Sequence, residues 1–486
     1  MTGVFSPYKN YTGRRAHAGE ATIPWLTSLP EHWEVIRSKR LFATRKERAR
    51  QDDEQLSATQ AYGVIPQKDF ESKVGRKVVR INQHLEKRAH VEPDDFVISM
   101  RSFQGGLERA WARGCIRSSY VVLNPSPLVH IGYFAHLFKS QNYIRALQAT
   151  SNFIRDGQDL NFNNFCLVDL PLPPQKEQDR IARFLDWKTS QINKFIRNKR
   201  RLIELLKEQK QNVINQAVTR GLDPKVNFKP SGVEWIGDIP EHWDATKLKR
   251  VVSFNPSKSE TRANPADEEK VVFLPMENIS VNGDIDCSEK RTLSEVWNGF
   301  TYFRRGDVVV AKITPCFENG KGAYLKGLES DFGFGTTELI VLRPSKAIDG
   351  AFLRFLTSTK QFLLLGEQYM TGAAGQQRIP SDFVKNYPIG LPPIDEQRAI
   401  LEHIQEKSAE IDQAISRAQR EIELMREYRT RLIADVVTGQ IDVRGIEVPE
   451  VAEDELLALE EDTADADDVI ILLINIKKIR DNCEII

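Results

Sequence analysis

Few residue groupings in the 486-residue chain have the types and spacing of a catalytic centre. Pro315-Cys316 sets a thiol behind a proline. A thiolate there could attack a flipped-out base, given a methyl donor in a neighbouring pocket. The donor site needs a glycine-rich turn upstream, after a first strand. Phe332-Gly-Phe-Gly335 lies downstream of the cysteine, and a lone G-x-G is a weak signal. No Asn-Pro-Pro-Tyr-like motif is present, so a DNA methyltransferase is a poor reading. Pro93-Asp94-Asp95 opens like the carboxylate pair of a Mg²⁺-assisted nuclease. The run that follows, Phe96-Val-Ile-Ser-Met-Arg101, offers no acid-x-lysine, and a turn entering a strand fits better. A phosphate-binding G-x-x-x-x-G-K-[ST] loop is lacking, which excludes an ATP-driven helicase. The five cysteines (Cys115, Cys166, Cys287, Cys316, Cys483) form no CxxC pair. They argue against a disulfide framework and a zinc ribbon, and for a reducing cytoplasm. His32 and His242 each stand in Pro-Glu-His-Trp, with no second ligand at metal spacing. A packed turn plugged by Trp33 and Trp243 is the simpler reading. No metal, no directly bound cofactor and no catalysis are expected.

What the chain does offer is hydrogen-bonding side chains suited to a DNA groove, in polar loops of both halves. In the first half these are Lys73, Arg76, Lys77, Arg101, Ser102, Gln104, Gln158, Asn161, Asn163 and Asn164. In the second they are Lys312, Thr314, Asn319, Lys321, Thr336, Thr337, Gln376, Gln377 and Arg378. Sequence alone does not divide such residues between bases and phosphates.

The formal charge of zero hides an asymmetry. Glu450 to Asp468 carries ten acids and no base, leaving 68 bases against 58 acids elsewhere. A basic body with an acidic tail suits phosphate binding. Hydrophobic residues are 41% and charged residues 28%, a soluble composition. The longest apolar run, Val469 to Ile474, is far short of the roughly 20 residues of a membrane span. The first 30 residues lack the apolar core of a signal peptide.

The elements that must position these residues come twice. Trp25-Leu-Thr-Ser-Leu-Pro-Glu-His-Trp33 returns as Trp235-Ile-Gly-Asp-Ile-Pro-Glu-His-Trp243, 210 residues later. Pro173-Pro174-Gln-Lys-Glu177-Gln178 returns as Pro392-Pro393-Ile-Asp-Glu396-Gln397, 219 residues later, and that spacing then holds without a gap to Thr219 and Thr438. Each second motif opens a helical block: prolines suit a first turn, acids favour the N-terminus, and Gly221 or Gly439 ends it. Between them runs a 3–4 apolar repeat. Its seam is Ile192, Ile196, Ile203, Leu206 and Val213 in the first block, and Ile411, Ile415, Ile422, Met425 and Leu432 in the second. Basic residues Lys210 and Arg429 occupy one matched seam position. The spacing predicts helices of about 45 residues, roughly 65 Å each, paired as a coiled coil.

The blocks before the helices carry short β-type runs (Phe96 to Ser99, Ser119 to Leu123, Val271 to Leu274, Asp307 to Ala311, Glu338 to Leu342) separated by turn residues. Each block also has one helical stretch, Gly132 to Ala149 and Asp349 to Glu367. The expected fold is α+β: two globules joined by two long antiparallel helices, with pseudo-twofold internal symmetry. The expected boundaries are 1–172 and 222–391 for the globules, 173–221 and 392–443 for the helical spacers, and 444–486 for the tail.

This order, with its "LPLPPQKEQ" and "GLPPIDEQ" helices and its repeated Pro-Glu-His-Trp, resembles the specificity subunits of type I restriction–modification enzymes. The resemblance spans residues from about 20 to 443 and leaves the tail outside. It implies two target recognition domains, each reading half of a split site in double-stranded DNA, and helices that set the distance between the halves. It also implies two modification (methyltransferase) subunits docked on the helices and further motor-nuclease restriction subunits. S-adenosylmethionine, ATP and Mg²⁺ would belong to those partners. The rival from another class is a coiled-coil scaffold protein without DNA readout.

Overall fold

In a computed structural model the described residues are 8–10, 25–75, 77–78, 85–150, 161–233, 236–261, 263, 268–373 and 375–449. The fold is α+β. The Pro-Pro pairs lead into helices Gln175–Arg220 and Ile394–Val437, 46 and 44 residues long. Glu177 lies in the first turn of one, Asp395 and Glu396 in the first turn of the other. Both stop just before a glycine in the left-handed region, Gly221 (φ +74°) and Gly439 (φ +71°). Such a residue frees a helix end from further propagation.

The chain divides into two compact units, Met1–Arg201 with Gln419–Ile486, and Leu202–Ala418. Each unit therefore takes one half of each long helix. In the first, Arg429 bonds Asn193 at 2.6 Å and Lys199 pairs with Glu421 at 2.6 Å. In the second, Lys210 pairs with Asp412 at 2.7 Å. Partner numbers rise on one helix as they fall on the other, so the helix halves run antiparallel. Seam residues Ile192, Ile196, Ile203, Ile411, Ile422 and Leu432 are buried. Leu206, Val213, Ile415 and Met425 are half-buried.

The first unit holds a four-stranded antiparallel sheet in the order Phe42–Thr44, Val121–Pro125, Phe96–Ile98, Glu108–Arg109. Phe42 anchors its core, with ring centroids 5.4 Å from Phe134 and Phe138 and 5.7 Å from Phe165. Each such ring contributes on the order of 1.5–3 kcal/mol of burial. The second unit repeats the sheet in the same order: Val252–Phe254, Leu339–Pro344, Val308–Ala311, Gly322–Tyr324. It adds another, ordered Lys290–Thr292, Lys270–Leu274, Phe332–Gly335, Thr301–Arg304, whose middle pair is parallel. Phe332-Gly-Phe-Gly335 is thus a strand. A Cβ at Gly333 or Gly335 would stand 2.7 or 2.6 Å from the carbonyl of Val272 or Leu274.

Each expected single helix is in fact two. Ile131–Lys139 and Gln141–Ala149 part at Ser140, and Gly350–Leu356 and Lys360–Gln368 part before Thr359. Ser140 and Thr359 are extended, and their hydroxyls accept the N–H groups of Tyr143 and Phe362. An N-cap inside an apolar repeat starts a new helix without breaking the hydrophobic face.

Candidate nucleic-acid interface

The repeated motifs meet in a clasp. In the first unit the buried Trp33 indole N–H donates to Glu177 Oε1 at 3.0 Å, and His32 Nε2 lies 2.8 Å from Oε2. In the second unit Trp243 and His242 grip Glu396 in the same way, at 3.1 and 2.7 Å. The neighbouring glutamine faces the domain. Gln178 donates to the Leu128 and Pro173 carbonyls and accepts from the His130 N–H. Gln397 donates to Ala347 and Pro392 and accepts from Asp349. The glycine that ends the other long helix completes the joint. A Cβ at Gly439 would sit 2.6 Å from Pro30 and 3.1 Å from Trp33, and one at Gly221 would sit 3.3 Å from Trp243. Strands Glu34–Arg37 and Asp169–Leu172, and their counterparts Asp244–Lys247 and Pro388–Leu391, pair beside each clasp.

A second device fixes the turn that feeds the central strands. Asp95 is buried and accepts a bidentate pair from Arg45 at 2.7 and 2.9 Å. Asp307 accepts the same pair from Arg343 at 2.7 and 2.9 Å. Both aspartates also bind backbone N–H groups, of Glu92 and Arg304. Pro93-Asp94-Asp95 is accordingly a turn lock, with Asp94 at φ +70° where the second unit has Gly306.

Beyond these strands lie the candidate readers. In the first unit Arg101 and Gln104 are exposed just after Phe96–Ile98, Gln104 in the short helix Ser102–Gly105. The Gln60 amide supports this segment by donating to the Arg101 carbonyl at 2.7 Å. Two residues on, the Tyr62 ring carries the Lys73 ammonium 5.0 Å from its centroid. Lys77 and Asn163 are exposed. Ser102 does not reach the surface. It is fully buried, and its hydroxyl accepts the Ser99 N–H. Asn161 caps helix Phe162–Cys166, and the Asn164 amide donates to the Thr150 carbonyl, so both serve the local turn. Arg76 and Gln158 lie outside the described residues.

In the second unit the candidates converge more tightly. Thr314 exchanges two hydrogen bonds with the Gln377 backbone, at 2.9 and 3.1 Å. The Lys312 N–H donates to the Glu338 carbonyl, and the Lys312 carbonyl accepts from Ile379. Arg378 forks onto the Glu338 carboxylate at 2.8 and 2.9 Å. Those bonds hold Glu338 below the usual carboxylate range; burial opposes them and the Lys312 charge assists. Thr336 accepts the Glu338 N–H, Thr337 and Asn319 are exposed, and Lys321 spends its ammonium on the Met276 carbonyl.

Comparison with known proteins points to one family. Residues 240–424 match a family model described as the type I restriction modification DNA specificity domain. The specificity subunit of the type I restriction enzyme MjaVIII of Methanocaldococcus jannaschii is 25% identical over 425 residues, 86% of this chain and 95% of that protein. By these matches the chain is similar to the type I specificity subunits. The EcoAI specificity subunit of Escherichia coli is 41% identical over 166 residues, 34% of this chain and 28% of the relative. The EcoEI subunit is similar, so the match spans only about a quarter of the length of these two relatives. A solved structure from work on assembly and conformational transition of the type I system has a TM-score of 0.60 at 14% identity. It covers 85% of this chain and 99% of that one, a likeness of fold.

Sequence reasoning missed the clasp carboxylates and the Asp95 and Asp307 locks. The signal for the first was present: Glu-Gln recurs at the same step in both copies while its flanks differ. The locks carried none, because Arg45 and Arg343 come from different strands of the common sheet.

Proposed function

We propose that the chain is a non-catalytic specificity subunit that reads a bipartite site in double-stranded DNA, one unit per half-site. The long helices set the gap between halves and dock two modification subunits, and motor-nuclease subunits complete the complex. S-adenosylmethionine, ATP and Mg²⁺ act in those partners, in the cytoplasm. The observation that carries this reading is the contrast within the repeat. Both copies keep one sheet order, one clasp and one turn lock, but they place different side chains beyond the central strands: Arg101 and Gln104 in one, Lys312, Thr314 and Gln376 in the other. A common frame with divergent polar tips suits one task on two targets.

Methylation mapping of a genome carrying this gene with its partner genes tests the reading. The expected result is two half-sites separated by a fixed gap of unspecified bases. A continuous motif, or no gene-dependent motif, would refute it. The isolated chain should bind duplex DNA with a steep loss of affinity on raising salt. Absence of that binding would favour a scaffold.

A further inference from the structure

Arg378 is the strongest candidate in the second unit for bidentate contact with a guanine edge, yet its guanidinium is already committed. Nε and Nη2 fork onto Glu338, and Nη1 donates to the Gln376 carbonyl at 3.2 Å. The backbone on either side is tied as well. Arg378 exchanges two bonds with Thr371 at 2.9 and 3.1 Å, and its neighbours Gln377 and Ile379 bond Thr314 and Lys312. Glu338 holds the same segment from below, through its carbonyl to the Lys312 N–H. One residue, Glu338, thus joins the start of strand Leu339–Pro344 to the segment after Val308–Ala311 through its carbonyl and to the Gln376–Arg378 turn through its carboxylate. The sequence of the first copy does not repeat the arginine. On the alignment of Gly157-Gln158 with Gly375-Gln376, Leu160 stands where the second copy has Arg378.

We propose that Glu338 and Arg378 are positioning residues that set the specificity of the second unit, aiming Lys312 and Gln376 at the DNA without reading a base themselves. The assignment rests on the DNA-reading function above. It makes a demand that generic stabilisation does not: loosening the pair should blur one half-site and leave the other intact. A direct phosphate contact would instead weaken every sequence alike.

The test is selection from a duplex library randomised over both half-sites, using the full chain, with Glu338→Gln, Arg378→Lys and the exchanged pair Glu338→Arg/Arg378→Glu. Thermal melting is recorded for each, and a variant that melts early is replaced by the milder Arg378→Gln. We expect each single variant to lose about tenfold discrimination at one or two positions of the second half-site. The first half-site should be unchanged, and the exchanged pair should recover part of the loss. Unchanged preference, equal loss at both half-sites, or uniform weakening without change of preference would each overturn the assignment while leaving DNA reading in place. A wild-type chain with no sequence preference would overturn both.

Discussion

In each domain two ring nitrogens meet one carboxylate at the start of a long helix. Glu396 takes the Trp243 indole and the His242 ring, and the indole is buried. Glu396→Ala should leave that N–H without a partner, at about 1–3 kcal/mol. Thermal melting and exchange of the Trp243 indole proton would register the loss. Gly439→Ala should destabilise the first unit. The new methyl would meet Pro30 and Trp33 in a left-handed backbone that alanine resists. Acid acts elsewhere. Burial pushes Glu260 up, but hydrogen bonds from Arg343 and Tyr302 outweigh it and the carboxyl lies below its ordinary range. Because the folded value is depressed, its contribution is present above the unfolded pKa of about 4.5 and fades as pH falls through the folded value. Glu260→Gln should therefore narrow the difference in melting temperature between pH 7 and pH 3. An unchanged difference would remove Glu260 from the acid response. At this scale the sequence was half legible: the two tryptophans read as plugs because their motif repeats, whereas their acceptor was hidden among helix-starting acids that look interchangeable.

Strands and turns were legible by period, and their partners were not. The apolar runs at Phe96 and Val308 carry the pattern of buried central strands, and central they are. The turns beyond them place Arg101 and Lys312 at equivalent ends, one after each locked aspartate. Arg101→Ala and Lys312→Ala should each affect only their own half-site. A base contact should cost roughly 1–3 kcal/mol and relax one position, and a phosphate contact should lower affinity for all sequences and flatten the salt dependence. Unchanged binding by both variants would move the reading surface elsewhere. Composition could not show that Ser102 faces inward or that Asn161 and Asn164 spend themselves on a cap. Short polar residues serve turns and grooves with the same atoms.

The long helices were the most legible part of the whole molecule, since a 219-residue repeat with a 3–4 seam leaves few alternatives. Their contacts show a detail the repeat conceals. Lys210 with Asp412 and Arg429 with Asn193 are the same contact made twice, but Lys199 with Glu421 has no twin, because Ala418 and Leu202 occupy the matched positions. The two partly exposed ion pairs, Lys210 with Asp412 and Lys199 with Glu421, add little stability, about 0–1 kcal/mol, so their use is in register. Four helical residues inserted after Arg197, with four more after Leu424, fall between the Asn193 and Lys199 contacts on both helices. Each helix lengthens by about 6 Å and turns about 40° beyond one revolution. DNA rises about 3.4 Å per base pair and turns once in about 10–10.5. Rise asks for nearly two extra base pairs in the gap and rotation for about one. The expected outcome is a gap longer by one or two, weaker binding, and unaltered half-sites, read by methylation mapping of the reconstituted complex. An altered half-site with an unaltered gap would assign base reading to the helices.

The two clasps differ in one respect, the covalent path between their parts. In the second unit, Gly221 and Trp243 belong to a single short stretch of chain. In the first, the same joint brings Trp33 against Gly439, the Tyr8 hydroxyl donates to the Gly439 carbonyl at 3.0 Å, and the Gln440 amide donates to Ser28 at 2.8 Å. The joint of the first unit thus brings segments from the two ends of the sequence together where the second unit uses one stretch. A circular permutant, opened between Gly221 and Asp238 and rejoined from Val443 to Trp25 through a short linker, would lose the Tyr8 hydroxyl bond but keep the contacts of Trp33, Gly439, Gln440 and Ser28. Its two half-sites should be those of the parent, with the gap unchanged.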